Sequence, residues 1–330
     1  MLQLHETLTK KKTAMQILEV AKIQDGYCYT TDIEVFLRSN SCNNYPDGIY
    51  HIINAEPIPA NVNIDEYPET DFNTDTGFHT FTADQNFFTT LKEAVAFAER
   101  KDEMRPAFQG VHYDHINKNL AATNGHIMYI KKHLLESPYS FIIPFGSVDF
   151  ITKSIQTAKL KEFKAQVHIM PNSHIIFDFN NFQIKTRLIN QKFPDYLSVI
   201  QHHNKRQFYF DRKTLLNHLK TIKPFAIDYK KTVNFRTNIF NNDFELYAFN
   251  EDKNIKKSIP LESANLPANN SINLQDLRLI MPIIPNSGGS LYNTFALNRE
   301  YLEKVIKSSN AQTVVLTYPG PKKAILINLN

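Results

Sequence analysis

Apolar residues recur at helical spacing in four stretches of the chain and alternate with polar ones through most of the rest. Within residues 85–104, Phe88, Leu91, Val95 and Ala98 fall on one side, so the spacing predicts an amphipathic helix. The pattern returns at 147–160 with Val148, Ile151, Ile155 and Ala158, and at 211–226 with Leu215, Leu216, Leu219 and Ile222. A fourth helix is predicted at 298–309, where Tyr301, Leu302, Val305 and Ile306 point inward. Short strand-like runs fill the intervals, at 107–114, on both sides of Asn124-Gly125, and at 140–145, 165–170, 174–179 and 182–189. In the second half they fall at 207–210, 232–239, 244–249, 257–263 and 291–297. Asn124-Gly125 predicts a type I′ hairpin.

The order strand, helix, three strands is given twice up to the apolar connector Phe193-Pro194-Asp195-Tyr196-Leu197-Ser198-Val199-Ile200. Pro194 cannot donate to a ladder and biases Phe193 away from helix, so a boundary belongs there. The pattern then starts again. A repeat in which amphipathic helices lie on sheets of short antiparallel strands predicts an α+β fold of similar modules.

Composition narrows the function classes. The chain has 330 residues, 42% hydrophobic and 21% charged, enough for two or three domains with packed cores. No apolar run approaches a membrane span, and the polar start Met1-Leu2-Gln3-Leu4-His5-Glu6 does not read as a signal peptide. Cys28 and Cys42 are the only cysteines and have no metal spacing, so a reducing cytoplasm is expected. Nine glycines and the lack of GxGxxG or P-loop strings argue against a nucleotide-cradling loop. The net charge is +4, but charge is segregated. Residues 41–80 carry Asp47, Glu56, Asp65, Glu66, Glu69, Asp71 and Asp75 with no Lys or Arg, whereas 202–260 are strongly basic. One surface is expected to face an anion.

Several strings, taken in order, resemble the bacterial sliding clamp, the DNA polymerase III beta subunit. Thr123-Asn124-Gly125-His126-Ile127-Met128 is similar to the family's T-x-G-H-R-L turn, and Phe193-Pro194-Asp195-Tyr196 to its F-P-D-Y connector. Arg105-Pro106-Ala107-Phe108-Gln109-Gly110-Val111 looks like R-P-x-L-x-G-V, and the stretch from Phe295 to Leu302 resembles G-F-N-x-x-Y-L. Upstream, the run from Thr31 to Leu37 is similar to T-D-L-E-V-x-L. The resemblance is strong over 80–330 and partial before it. There is no room in 1–78 for both helices of a full domain, and no amphipathic helix is expected to open the chain. The family's C-terminal strand is also missing, although residues 277–284 have its character. The expected division is a truncated module 1–78, a complete one 79–200, and a second complete one 201–330 with an insertion at 265–290.

The resemblance implies a non-enzymatic DNA sliding clamp, a processivity factor without cofactor, catalytic residue or metal. Its partners are duplex DNA bound without regard to sequence, a clamp loader, and a replicative polymerase or other protein carrying a clamp-binding peptide. Carried over by position, the peptide cleft comprises Thr123, Gly125, His126, Ile127, Met128, Pro194, Ser198 and Val199. Ile127 and Ser198 stand where arginine is usual. A DNA-facing surface is expected at Lys92, Arg100, Lys153, Lys159, Lys213, Lys220, Lys304 and Lys307, because lysines along one helix face meet phosphates without reading bases. A closed ring in the family has six domain units, which two of these chains would supply if 1–78 fills a domain's place, and three if it packs outside; the dimer is preferred. The alternative is a clamp-fold interaction module, monomeric or decoy, that binds clamp-dependent partners without encircling DNA. A metal-dependent enzyme using His112 and His115 is a third and weaker reading.

Overall fold

The computed structural model describes residues 1–9, 15–40, 42–68, 71–200, 206–227, 230–238, 244–250, 255–261, 276–280, 292–318 and 324–329. Most of the expected insertion, and residues 281–284 of the strand-like run within it, lie outside the described residues. The chain divides into two compact units, one of Met1–Leu120 and His133–Lys192 and the other of Ala121–Lys132 and Phe193–Asn330. The fold is α+β, with antiparallel sheets and helices packed on them.

The first unit is organised by a sheet of nine strands. Its order is Glu56–Pro59, Gly48–Ile53, Ala21–Gln24, Tyr27–Thr31, Val35–Ser39, Phe182–Arg187, His174–Asp178, Lys164–Met170 and His79–Asp84. Period-2 alternation sets the register. Ala165, Val167 and Ile169 are buried while Lys164 and Gln166 are exposed. Leu37 opposes Ile184 where strands of the N-terminal segment join those of the next module. Strands Gly110–Asp114 and Phe141–Pro144 form a further antiparallel pair. The strand predicted at 107–114 begins only at Gly110, because Pro106–Phe108 turn as 3-10 helix.

Three helices cover this unit: α1 (Leu2–Leu8), α2 (Gln85–Val95) and α3 (Phe145–Thr157). The expectation that no helix opens the chain is corrected by α1, which buries Leu4, His5 and Leu8. Its inward face is completed by a histidine: His5 Nδ1 lies 3.0 Å from Thr30 Oγ1 and Nε2 lies 2.7 Å from Ser39 Oγ. A pattern of apolar positions does not show such a residue. Asp84 caps α2 by accepting the Phe87 N–H at 2.9 Å. Phe87, Phe88, Leu91, Ala94 and Val95 are then buried, with Phe87 and Phe88 packed on Phe177 and Phe88 also on Phe179. Each ring fully removed from water contributes about 1.5–3 kcal/mol. Helix α2 ends earlier than predicted, so Arg100 lies beyond it.

The second unit repeats the plan. Arg206–Asp211, Thr313–Tyr318, Ile325–Leu329, Asp276–Ile280 and Ile127–Lys132 are successive antiparallel neighbours. A second sheet runs Ile255–Leu261, Phe244–Asn250, Thr232–Asn238 and Tyr292–Asn298. Helices α4 (Arg212–Ile222) and α5 (Arg299–Lys307) follow strands whose last residues, Asp211 and Asn298, cap them as Asp84 caps α2. Among the described residues two strands follow α5. The place held by Phe182–Arg187 in the first unit is taken here by Asp276–Ile280, supplied from before α5 rather than after it.

Candidate functional site

The turn at 123–127 is closed by side chains rather than by the type I′ geometry that Asn-Gly predicts. That geometry needs positive φ at both central residues, and only Gly125 has it, at +86°. The loop is instead Asn124-Gly125-His126, between strands Asn119–Thr123 and Ile127–Lys132. The Thr123 hydroxyl donates to the Ile127 carbonyl at 2.8 Å and accepts the Gly125 N–H at 3.0 Å. The Asn124 side-chain oxygen accepts the N–H groups of His126 and Ile127, both at 3.0 Å. Short polar side chains that offer the backbone local partners override the simpler turn.

The arrangement sorts the expected cleft residues by availability. Thr123 and Ile127 are buried at 2% and 1% exposure, one spent on the turn and the other in the core. Gly125 and His126 are exposed, and the His126 ring stacks on Tyr301 of α5 at 5.5 Å and 18°. Met128 is half-buried, opposite Leu279 in the neighbouring strand. Arg278, buried in that strand, holds its guanidinium 4.9 Å from the Tyr129 ring centre and its Nε 3.3 Å from Ser308 Oγ. This arginine was not singled out from sequence, because the run around it reads simply as apolar strand. In the same unit, Phe193 and Tyr196 anchor the connector edge to face at 6.0 Å. They leave Ser198 exposed and Pro194 and Val199 half-buried. The Ser198 hydroxyl donates to the Asp195 carbonyl at 2.7 Å, closing a 3-10 turn over Leu197–Val199.

The lysines lie where helical spacing places them. Lys92 on α2, Lys153 on α3, Lys213 and Lys220 on α4, and Lys304 and Lys307 on α5 are exposed, opposite buried stripes. Lys159 is exposed just past α3, with φ +52°. Arg100 differs: it pairs with Asp149 of α3 at 2.9 Å and covers the Phe145 ring at 4.9 Å. Lys307 lies 3.1 Å from Glu303, one turn back.

His112 and His115 do not form a ligand set. Burial pushes the His112 imidazole down to about 4, against the opposing pull of Asp114. His115 is held at the Ser140 hydroxyl, 2.9 Å away. No group of three or more His, Cys, Asp or Glu suited to a metal occurs among the described residues. No described helix is long and apolar enough to cross a membrane.

Residues 82–195 match the family model of the DNA polymerase III beta subunit, central domain. The chain is 25% identical over 154 residues to the beta sliding clamp of Borreliella burgdorferi, covering 45% of this chain and 39% of the relative. It is 23% identical over 241 residues to that of Treponema pallidum, covering 71% and 57%. The matched stretches therefore span well under two thirds of the length of these curated relatives. Among solved structures, the DNA polymerase sliding clamp from Bacillus subtilis superposes with a TM-score of 0.74 at 14% identity, over 99% of this chain and 95% of that one. At that identity the likeness is one of fold.

Proposed function

We propose that the chain, a divergent relative of the bacterial beta sliding clamps, is a non-catalytic processivity factor, tethering a polymerase or another replication factor to duplex DNA. The observation that carries this reading is the exposed cationic side of the helices: Lys92, Lys153, Lys213, Lys220, Lys304 and Lys307 stand opposite buried apolar stripes, with Lys159 just past α3. Such rows attract phosphates without reading bases, and they leave a tether free to slide. Peptides of the partner protein dock against the His126–Met128 turn and the 194–199 connector, where Gly125, His126, Met128 and Ser198 are at least partly open. A clamp loader and assembly into a ring, preferably of two chains, complete the proposal, with 1–78, 79–200 and 201–330 as its modules.

The test is duplex binding across a salt series for wild type and for the variant with Lys153, Lys159, Lys213 and Lys220 all changed to Glu. Each lost phosphate contact lowers the slope of log K against log salt by about 0.9. An unchanged slope refutes the surface.

A second reading, a monomeric interaction module that binds clamp-dependent partners, is favoured by the short N-terminal segment. Among its described residues 1–78 contribute one α-helix, of 7 residues. Light scattering over a concentration series separates the two: a mass fixed at 38.2 kDa rejects an autonomous ring.

A further inference from the structure

Between α2, the end of α3 and residues 159–163 lies an open cleft with a volume of about 450 Å³. That is within the ~300–1,000 Å³ range of small-ligand sites. One wall is apolar, formed by Phe88, Ile155 and Phe163, whose two rings pack 5.5 Å apart; Thr89, Thr152 and Gln156 line the cleft as well. Its rim carries Lys92, Lys159 and Lys161, all exposed, and no carboxylate lines it.

The segment that presents two of these lysines follows the end of α3. Lys159 and Glu162, neither of them glycine, sit at φ +52° and +49°. The conformation is held from both sides: the Glu162 N–H donates to the Gln85 side-chain oxygen at 3.0 Å, and the Leu160 N–H to the Ile155 carbonyl at 3.2 Å. At Lys159 this is the left-handed stop of α3, with the Lys159 N–H also donating to the Gln156 carbonyl at 3.1 Å, and it fixes where the two lysines stand on the rim.

We propose that this cavity binds a nucleotide, with the base laid against the apolar wall that Phe88 and Phe163 form together and the phosphate at the lysine rim. A purely apolar occupant gains nothing from the lysine rim, and inorganic phosphate gains nothing from the aromatic wall. A flat ring that carries an anion satisfies both halves. The same chemistry is offered by a free nucleotide and by the unpaired terminal nucleotide of a DNA strand. The inference goes beyond the clamp reading. Lys92 and Lys159 belong to both surfaces, but Lys161 and Phe163 belong to the cavity alone.

The experiment measures binding of dAMP and of deoxyribose 5-phosphate to the full chain by ligand-observed NMR competition. A duplex with an unpaired 5′-phosphorylated nucleotide is compared with a blunt one. Wild type, Lys161→Glu and Phe163→Leu are used; the first change is at an exposed position and the second conserves bulk. Expected are at least tenfold tighter binding of dAMP than of the sugar phosphate, a tenfold loss in Lys161→Glu and a severalfold loss in Phe163→Leu. Selective binding of the overhang duplex that depends on Lys161 and Phe163, with dAMP silent, supports the site and assigns it to strand ends. Equal binding of dAMP and sugar phosphate, or variants indistinguishable from wild type towards both dAMP and the overhang, overturns it. Loss of salt-dependent duplex attraction with dAMP binding intact removes the clamp surface and leaves the cavity assignment standing.

Discussion

Thr31 and Thr123 hold the same post in two turns: each hydroxyl donates at 2.8 Å to the carbonyl four residues on, of Val35 and Ile127 respectively. Each also accepts the N–H two residues on, from Ile33 at 2.8 Å and Gly125 at 3.0 Å. Asp32 and Asn124 complete the match by accepting the backbone N–H groups two and three residues on. Each outgoing strand then pairs with the corresponding strand of its sheet, Val35–Ser39 with Phe182–Arg187 and Ile127–Lys132 with Asp276–Ile280. The N-terminal segment thus carries the same side-chain-closed hairpin turn as the second unit.

The two turns differ in their third residue, and this sets the first prediction. Gly125 adopts φ +86° freely, whereas Ile33 is held at +82°. A β-branched residue there is strained, at a cost of about 1–3 kcal/mol. Ile33 is 39% exposed, so its removal sacrifices little burial. Ile33→Gly is expected to stabilise the protein by about 1 kcal/mol after the added freedom of the unfolded chain is deducted, and Gly125→Val to destabilise it. Urea midpoints check both, and a lower midpoint for Ile33→Gly contradicts the account.

Gly110, the glycine of the Arg105–Val111 string, is required for a different reason. A Cβ there would lie 2.4 Å from the Ile143 carbonyl oxygen and 2.7 Å from Ile142 Cγ2, across the pair with Phe141–Pro144. The strand backbones approach too closely for any side chain. Gly110→Ala is expected to cost about 1–3 kcal/mol, the usual penalty for overpacking, and to lower the melting temperature.

Acid should unfold the protein early. Burial, with help from the N-terminal ammonium, lowers the His5 imidazole from 6.5 to about 3, and burial lowers His112 to about 4. Both folded values lie below the unfolded one, so the unfolded chain binds more protons and stability falls as pH drops below 6.5. The loss continues until the folded values are reached. Between pH 6 and 5 the two groups together remove roughly 2 kcal/mol. His5→Gln, which still offers Thr30 and Ser39 a donor and an acceptor, should flatten the dependence by about half. An unchanged pH slope in denaturation would falsify the assignment to His5.

The fold was legible where one side of an element is buried and the other wet. The stripe Phe88, Leu91, Val95 and Ala98 is buried throughout. Legibility failed where polar atoms do the structural work. Helix α1 was missed because His5, inward and bonded to two hydroxyls, breaks its apolar pattern. The turn type was missed because Thr123 and Asn124 satisfy the backbone themselves. The origin of the strand Asp276–Ile280 is non-local: its neighbours are residues 127–131 and 325–327, which no sequence window joins. For the candidate site, helical spacing located the lysines. It could not show that Arg100 is committed to Asp149, since that pairing spans 49 residues.

The peptide cleft depends on which side chains of the hairpin remain available, and Met128 is the one to change. Its neighbours Ile127 and Tyr129 are buried at 1% and 0%, so substitution at either damages the core and tests nothing about binding. Met128 is only half-buried, and an aspartate there keeps its carboxylate hydrated while placing charge beside any apolar anchor. A short polymerase-type tail with two apolar anchors is expected to bind at micromolar strength, about 8 kcal/mol, of which the anchors supply roughly 3–6 on burial. Met128→Asp should weaken it tenfold or more with the melting temperature nearly unchanged. Val199→Asp, on the connector, should do the same if the connector lines the same cleft. Loss in the first variant alone confines the contact to the hairpin. Wild-type affinity in both by fluorescence anisotropy removes the cleft from this protein and leaves partner docking to another surface.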